Sequence, residues 1–302
     1  MVETLDIEKH ILAGKGIQDS CSDDYDLNCE QFKSICSSYM ASLSITDKEI
    51  SEIEKQTSGQ TNNEKWFQYR SGRVTASKFG EIQNRRPSTA PDRLTRDIFQ
   101  YKTRSTVPAQ CAEGLRLEPL IRAKYVAGQH AAGHTGVYVE ERGLFIDKTA
   151  PLLAASIDGE VNDPTARHGV FGNLEMKYIQ FPSKIPLPDG RKDLLHIITE
   201  NKKNSCLEIT NTGLKLKTRY HYYTQMQGGM GISGRQWCDL AVYTYCGNIE
   251  DLHVERIYFD PIYWNALKQK LLDFCLFAIV PEILTGRIKN GKHLYPRLFS
   301  YK

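Results

Sequence analysis

Two carboxylates and an ammonium stand in an order suited to metal-assisted hydrolysis. Asp158 lies in the run Ala155-Ser156-Ile157-Asp158-Gly159, and Glu175-Met176-Lys177 begins seventeen positions after it. Phosphodiester hydrolysis near neutral pH calls for a divalent ion held by hard oxygen ligands, beside a group that positions water. In an extended strand alternate side chains share a face, so Glu175 and Lys177 project together while Met176 points into the core and leaves its carbonyl available. Asp158, on the preceding strand or its end, meets them across a hairpin bent at Gly159, Pro164, Gly169 and Gly172. A bare Glu-x-Lys is also an ordinary pair on a sheet face, so context has to decide.

The elements that must position these groups follow from periodicity and punctuation. Thr46 with Glu49 forms a capping box, Ile45 and Ile50 are spaced as a hydrophobic staple, and Gly59 marks the end, which predicts a short helix near 46–57. Residues 66–69 read as helix or turn, and 76–82 as a helix capped by Thr75. A polar loop over 83–91 and helices at 92–102 and about 110–127 follow. Three strands are expected within 137–146, 152–157 and 170–179. The stretch 181–205, rich in Pro, Lys and Asn, reads as a loop with one helical turn around 192–199. A helix at 221–232, strands at 239–245 and 252–259, and a long closing helix at 263–284 complete the order. Such an order implies an α/β fold with a mixed sheet flanked by helices.

Composition narrows the class of function. A chain of 302 residues with 40% hydrophobic content can bury a sizeable core. No run of eighteen apolar residues occurs and the N-terminus lacks a secretory pattern, so neither a membrane span nor export is expected. The eight cysteines include no C-x-x-C pair and read as reduced structural thiols. Charge is divided: residues 1–60 carry 12 acidic against 5 basic residues, and the remainder 34 basic against 24 acidic. Residues 61–124 are the most basic, with 13 Lys/Arg against 6 Asp/Glu, a balance suited to a polyanion. The expected division is an acidic segment at 1–60, loosely ordered or peripheral up to residue 44, and a catalytic domain at 61–302.

Five motifs occur in one order: W-F-Q-Y-R-x-G-x-V-T-A-S at 66–77, G-x-x-x-E-P at 114–119, A-S-I-D-G at 155–159, L-E-M-K at 174–177 and Y-Y-T-Q-M-Q at 222–227. Over about residues 64–285 the chain resembles the YqaJ-like viral recombinase family of PD-(D/E)XK nucleases, the phage lambda exonuclease group. The resemblance implies a restriction-endonuclease-like core. It implies that Asp158 and Glu175 bind Mg²⁺ (or Mn²⁺) with the Met176 carbonyl, and that Lys177 orients or activates water. Glu118 matches the family glutamate that binds a second ion, although a helix-surface pair with Arg122 at i+4 explains it nearly as well. Gln225 and Gln227 match the bordering helix; residues two apart do not share a helix face, so one of them serves, and Gln227 is favoured. Arg70, Thr75 and Ser77 resemble the positions that bind a terminal 5′-phosphate, through a guanidinium fork and a helix start, while capping alone would also account for Thr75. Trp66 reads as a core anchor, and the Tyr220, Tyr222 and Tyr223 cluster as packing.

The expected activity is a Mg²⁺-dependent 5′-to-3′ exonuclease on double-stranded DNA ends, in an intracellular setting, nuclear or cytoplasmic. A single-strand annealing protein is the partner that the resemblance implies. An endonuclease or flap, single-strand or RNA nuclease of the same fold is the first rival. A catalytically silent DNA-binding module that recruits partners through its acidic segment is the second. One departure from the family pattern is an added hairpin expected from Leu207–Ile209 and Leu214–Leu216, which leaves a ring-shaped oligomer open.

Overall fold

The computed structural model describes residues 30–86, 88–101, 108–180, 194, 197–198, 205–246 and 249–294. In chain order its elements begin with α1 (Glu30–Ser42), α2 (Asp47–Gln56), α3 (Glu64–Arg70), β1 (Val74–Thr75), α4 (Ala76–Gln83), α5 (Asp92–Ile98) and α6 (Ala109–Ala131). Then come β2 (Tyr138–Glu140), β3 (Leu144–Ile146), β4 (Leu153–Ser156), β5 (Gly159–Asn162), β6 (Phe171–Tyr178), β7 (Leu207–Thr210) and β8 (Gly213–Leu216). The chain continues through α7 (His221–Ser233), β9 (Trp237–Cys246), β10 (Ile249–Tyr258), α8 (Pro261–Phe274), a π-helical turn (Cys275–Ile279) and α9 (Val280–Thr285). These residues fall into two compact units. The described parts of 1–103, 143–156 and 261–302 form one, and those of 104–142 and 157–260 the other.

The first unit holds a three-stranded sheet of order β1-β4-β3, with β1 parallel and β3 antiparallel to β4. Helix α2 starts where the capping box predicts: the Glu49 N–H donates to the Thr46 hydroxyl at 3.2 Å, and the Glu49 carboxylate accepts from the Thr46 N–H at 2.7 Å. Ile53 of α2 and Trp66 and Tyr69 of α3 are buried with Leu144, Ile146 and Ala154, and Ile45 and Ile50 pack against this cluster. The loosely ordered reading of residues up to 44 is corrected over 30–42, where α1 buries Phe32, Cys36 and Tyr39 at helical spacing on one face. The expected closing helix forms as one helical run from Pro261 to Thr285, widened to π geometry at Cys275–Ile279 just before Pro281, whose missing N–H removes one bond from the ladder.

The second unit is built on a five-stranded sheet of order β10-β9-β6-β5-β2, in which β6 and β9 run parallel and the other neighbours antiparallel. Alternate residues of β9 enter two different cores. Cys238, Leu240 and Val242 pack with Met226 and Met230 of α7, whereas Trp237, Ala241 and Tyr243 pack with Leu117, Ile121 and Tyr125 of α6. A mixed sheet thus lies between helices, the expected α/β class. Gly172 has a steric reason: a Cβ there would lie 2.3 Å from the Trp237 ring.

Two expectations for this unit need correction. The single strand expected over 137–146 is two, β2 and β3, which belong to different sheets. Strand β5 lacks apolar alternation because its Glu160 is buried, held there by ion pairs with Arg142 and Arg235. Most of the expected loop at 181–205 lies outside the described residues, although Leu194, Ile197 and Ile198 are helical and buried. The expected hairpin forms as β7 paired antiparallel with β8. Among the described residues no helix is long and apolar enough to cross a membrane.

Candidate active site

Strand β5 stops early, and that gap makes the site. Its pairing with β6 ends at Gly159 opposite Leu174, and the Asp158 N–H donates to the Leu174 carbonyl at 3.2 Å. Gly159 allows the close approach, since a Cβ there would lie 2.5 Å from Val139 Cγ1. Among the described residues no strand pairs with that edge of β6 beyond Leu174. Asp158 takes the place of one, its Oδ2 accepting from the Met176 N–H at 2.6 Å. A strand residue directs its N–H and C=O to the same edge, so the Met176 carbonyl faces this side as well.

The strand period places the next groups. Glu175 and Lys177 share the face of their β9 partners Leu240 and Val242, while Met176, opposite Ala241, is buried in the α6 core. Glu175 is only 4% exposed, and its Oε1 accepts from Lys177 Nζ in a short ion pair and from Gln225 Nε2 at 2.6 Å. The Lys177 ammonium also sits 4.8 Å from the centre of the Tyr222 ring. Tyr222 and Gln225 are three apart on α7 and so face the same way.

Electrostatics joins Glu118 to this group. Burial pushes its carboxyl up to about 7, and the nearby Asp158 charge adds to the shift while Lys177 and Arg122 oppose it. Burial likewise raises Glu175 to about 7, against the pull of Lys177 and with the repulsion of Asp158 and Glu118. Burial pulls the Lys177 pKa down, but the Glu175 and Asp158 carboxylates outweigh it and raise the pKa above its ordinary value. Arg122, one turn after Glu118, is directed elsewhere: it donates to the Asp158 carbonyl at 3.2 Å and binds the Glu141 carboxylate.

Three mutually repelling carboxylates and a free-facing carbonyl make a hard-oxygen donor set with an excess of negative charge, which suits a divalent cation. Among the described residues they do not stand as a closed cage, because Asp158 turns to the Met176 N–H and Glu175 to Lys177 and Gln225.

Placement of the two glutamines reverses the expectation. Gln227 is fully buried and spans two backbone groups, donating to the Tyr258 carbonyl at 2.9 Å and accepting from the Asp260 N–H at 2.8 Å. The side chain at the carboxylates is Gln225. Gln225→Ala should therefore slow cleavage by roughly tenfold to a hundredfold with an unchanged melting temperature. Gln227→Ala should instead cost roughly 1–3 kcal/mol in stability, by leaving buried backbone groups without partners. Duplex-degradation rates and thermal melts of both variants check the reversal.

The first unit carries a pocket of about 220 Å³ lined by residues that include Trp66, Phe67, Arg70, Thr75, Lys78 and Gln100. Arg70 lies over the Trp66 ring at 4.0 Å and donates to the hydroxyls of Ser156 at 3.1 Å and Thr75 at 3.3 Å. Burial lowers its pKa to about 10, and no carboxylate among the described residues pairs with it. Thr75 occupies the N-cap position of α4 without making the side-chain capping bond; its hydroxyl is turned to Arg70 and lies 3.3 Å from that of Ser77, which is exposed. The one carboxylate among the described lining residues, Asp97, lies 4.0 Å from Lys78, so a desolvated guanidinium with two hydroxyls and no carboxylate partner of its own suits an oxyanion. Trp66 supports the pocket while its Nε1 donates to Ser156 at 2.8 Å.

In the sequence Ser156 is only a letter of A-S-I-D-G, whereas Lys78 belongs to the basic stretch suited to phosphate contacts.

Residues 65–236 match the sequence profile of the YqaJ-like viral recombinase domain. Among solved structures the chain is similar to an alkaline exonuclease, LHK-Exo, from Laribacter hongkongensis. That likeness has 25% identity and a TM-score of 0.51, over 76% of this chain and 98% of the other. The same values hold for LHK-Exo in complex with dAMP. The Shutoff and Exonuclease protein of Kaposi's sarcoma-associated herpesvirus follows at 14% identity and a TM-score of 0.46, over 84% of this chain and 78% of that one. No curated protein matches.

Proposed function

The chain belongs to the YqaJ-like viral recombinase domain family, and from that premise we propose that it is a Mg²⁺-dependent deoxyribonuclease that degrades duplex DNA from 5′ ends. It is a nuclease, as its likeness to the alkaline exonuclease supports. The observation that carries the finer reading is the meeting of Asp158, Glu175, Lys177 and Gln225 at the open edge of β6, with Glu118 in the same electrostatic group.

On this reading Glu118, Asp158, Glu175 and the Met176 carbonyl would hold Mg²⁺ or Mn²⁺, which would supply Lewis-acid chemistry for phosphodiester hydrolysis near neutral pH. Lys177, kept cationic by its carboxylate neighbours, donates to the attacking water or a phosphate oxygen and fixes its direction. Gln225 holds Glu175 and Lys177 in register. Arg70, Thr75 and Ser77 receive the 5′-terminal phosphate. A single-strand annealing protein is the partner this reading implies, inside the cell.

The test is a linear duplex, 5′-phosphorylated or 5′-hydroxyl, incubated beside a closed circle in Mg²⁺, in Mn²⁺ and in chelator, with DNA binding measured alongside degradation. Loss of the linear DNA alone, faster with the phosphate and stopped by chelator, is expected. Cutting of the circle would make the enzyme an endonuclease, and binding without cutting in either metal would make it a recruitment module.

A further inference from the structure

Phe67 is 42% exposed on α3 and lines the same pocket as Arg70. Single exposed apolar residues are ordinary, but this one is fixed on two sides. Its ring meets Trp66 edge to face, with centroids 4.9 Å apart and planes at 87°. The same indole carries the Arg70 guanidinium and is tied to Ser156. Trp66 is therefore a shared strut that sets an aromatic plane and a phosphate-seeking fork at a fixed relation to each other. On the other side, Gln100 donates to the Phe67 carbonyl at 3.0 Å from a backbone with φ of 56°, a conformation in which a non-glycine residue needs support from its surroundings. A strained residue, a half-buried cation that no carboxylate among the described residues pairs with, and an open aromatic face converge on one rim.

We propose that Phe67 forms a nucleobase subsite: when the 5′-phosphate enters the Arg70 pocket, the base of the terminal nucleotide stacks on the exposed face of Phe67. This rests on reading the pocket as the receiver of a terminal phosphate. Stacking needs an unpaired base, so Phe67 also holds the frayed state of a duplex end, and every base offers a face to stack. The substrate feature it selects is a 5′-phosphorylated nucleotide that retains its base.

The test uses the full chain in chelator, which separates binding from cleavage, with fluorescently labelled duplexes whose 5′-terminal nucleotide is intact or abasic. Wild type is expected to bind the abasic end about tenfold more weakly. Phe67→Ala is expected to bind both ends equally, and Phe67→Tyr, which keeps an aromatic face, to discriminate as wild type does. Discrimination that survives in Phe67→Ala would overturn the proposal. So would its absence in a wild type that still prefers 5′-phosphate over 5′-hydroxyl, with the pocket reading left standing. Absence of any phosphate preference would overturn the pocket reading and the base subsite with it.

Discussion

Asp158→Asn should reduce turnover on linear duplex DNA by about 10³-fold or more while leaving DNA binding and the melting temperature close to wild type. The substitution removes a charge and little else: the remaining amide oxygen can still accept the Met176 N–H that holds residue 158 against the open edge of β6. Lys177→Met should be equally inactive but also less stable, by ~3 kcal/mol, because it strands the Glu175 carboxylate in a nearly dry site. Adding Glu175→Gln to Lys177→Met should recover much of that stability and none of the turnover. This pairing separates chemistry from folding, since loss of activity through misfolding would be repaired together with the stability. Substantial turnover by Asp158→Asn in Mg²⁺ would remove Asp158 from the reaction. Single-turnover degradation and thermal melts of the four proteins supply the comparison.

The second large effect is expected at Arg70. Arg70→Ala should slow degradation of a 5′-phosphorylated duplex by about a hundredfold and leave a 5′-hydroxyl duplex nearly unaffected, so that the preference between the two ends disappears. The physical basis is a guanidinium that lies over Trp66, spends donors on Ser156 and Thr75, and pairs with no carboxylate among the described residues. Arg70→Lys should fail to restore the preference, because an ammonium is a point charge and cannot hold the two hydroxyls and a phosphate in one plane. Comparison of initial rates on the two ends is the measurement. An unchanged ratio of rates in Arg70→Ala would place phosphate recognition elsewhere in the protein.

Local rules read from sequence reached a long way into this structure. The strand period put Glu175 and Lys177 on one face and Met176 on the other, because alternation is a property of the extended backbone and needs no partner. The Thr46–Glu49 capping box formed as written, since its hydrogen bonds span three residues. Helix α1 was legible too: Phe32, Cys36 and Tyr39 have helical spacing, but the acidic and serine-rich surroundings drew attention from it.

What was not legible depended on distant residues. Strand β5 carries Glu160 as a core residue, and Arg142 and Arg235, 18 and 75 positions away, make its burial tolerable. The choice between Gln225 and Gln227 turned on the rotation of α7 about its own axis. Burial of Met226 and Met230 against β9 sets that rotation, directing Gln225 to Glu175 and Gln227 to the backbone at Tyr258 and Asp260. Thr75 had two local uses for its hydroxyl, and the arrival of Arg70 in its pocket selected the one that is not capping.

By itself the sequence determined which residue types stand on the candidate strand and how Glu175 and Lys177 share one face, because residue type and backbone period are local. Tertiary packing alone decided which side chains from other elements complete the site, because helix rotation and charge burial are settled only by partners far along the chain.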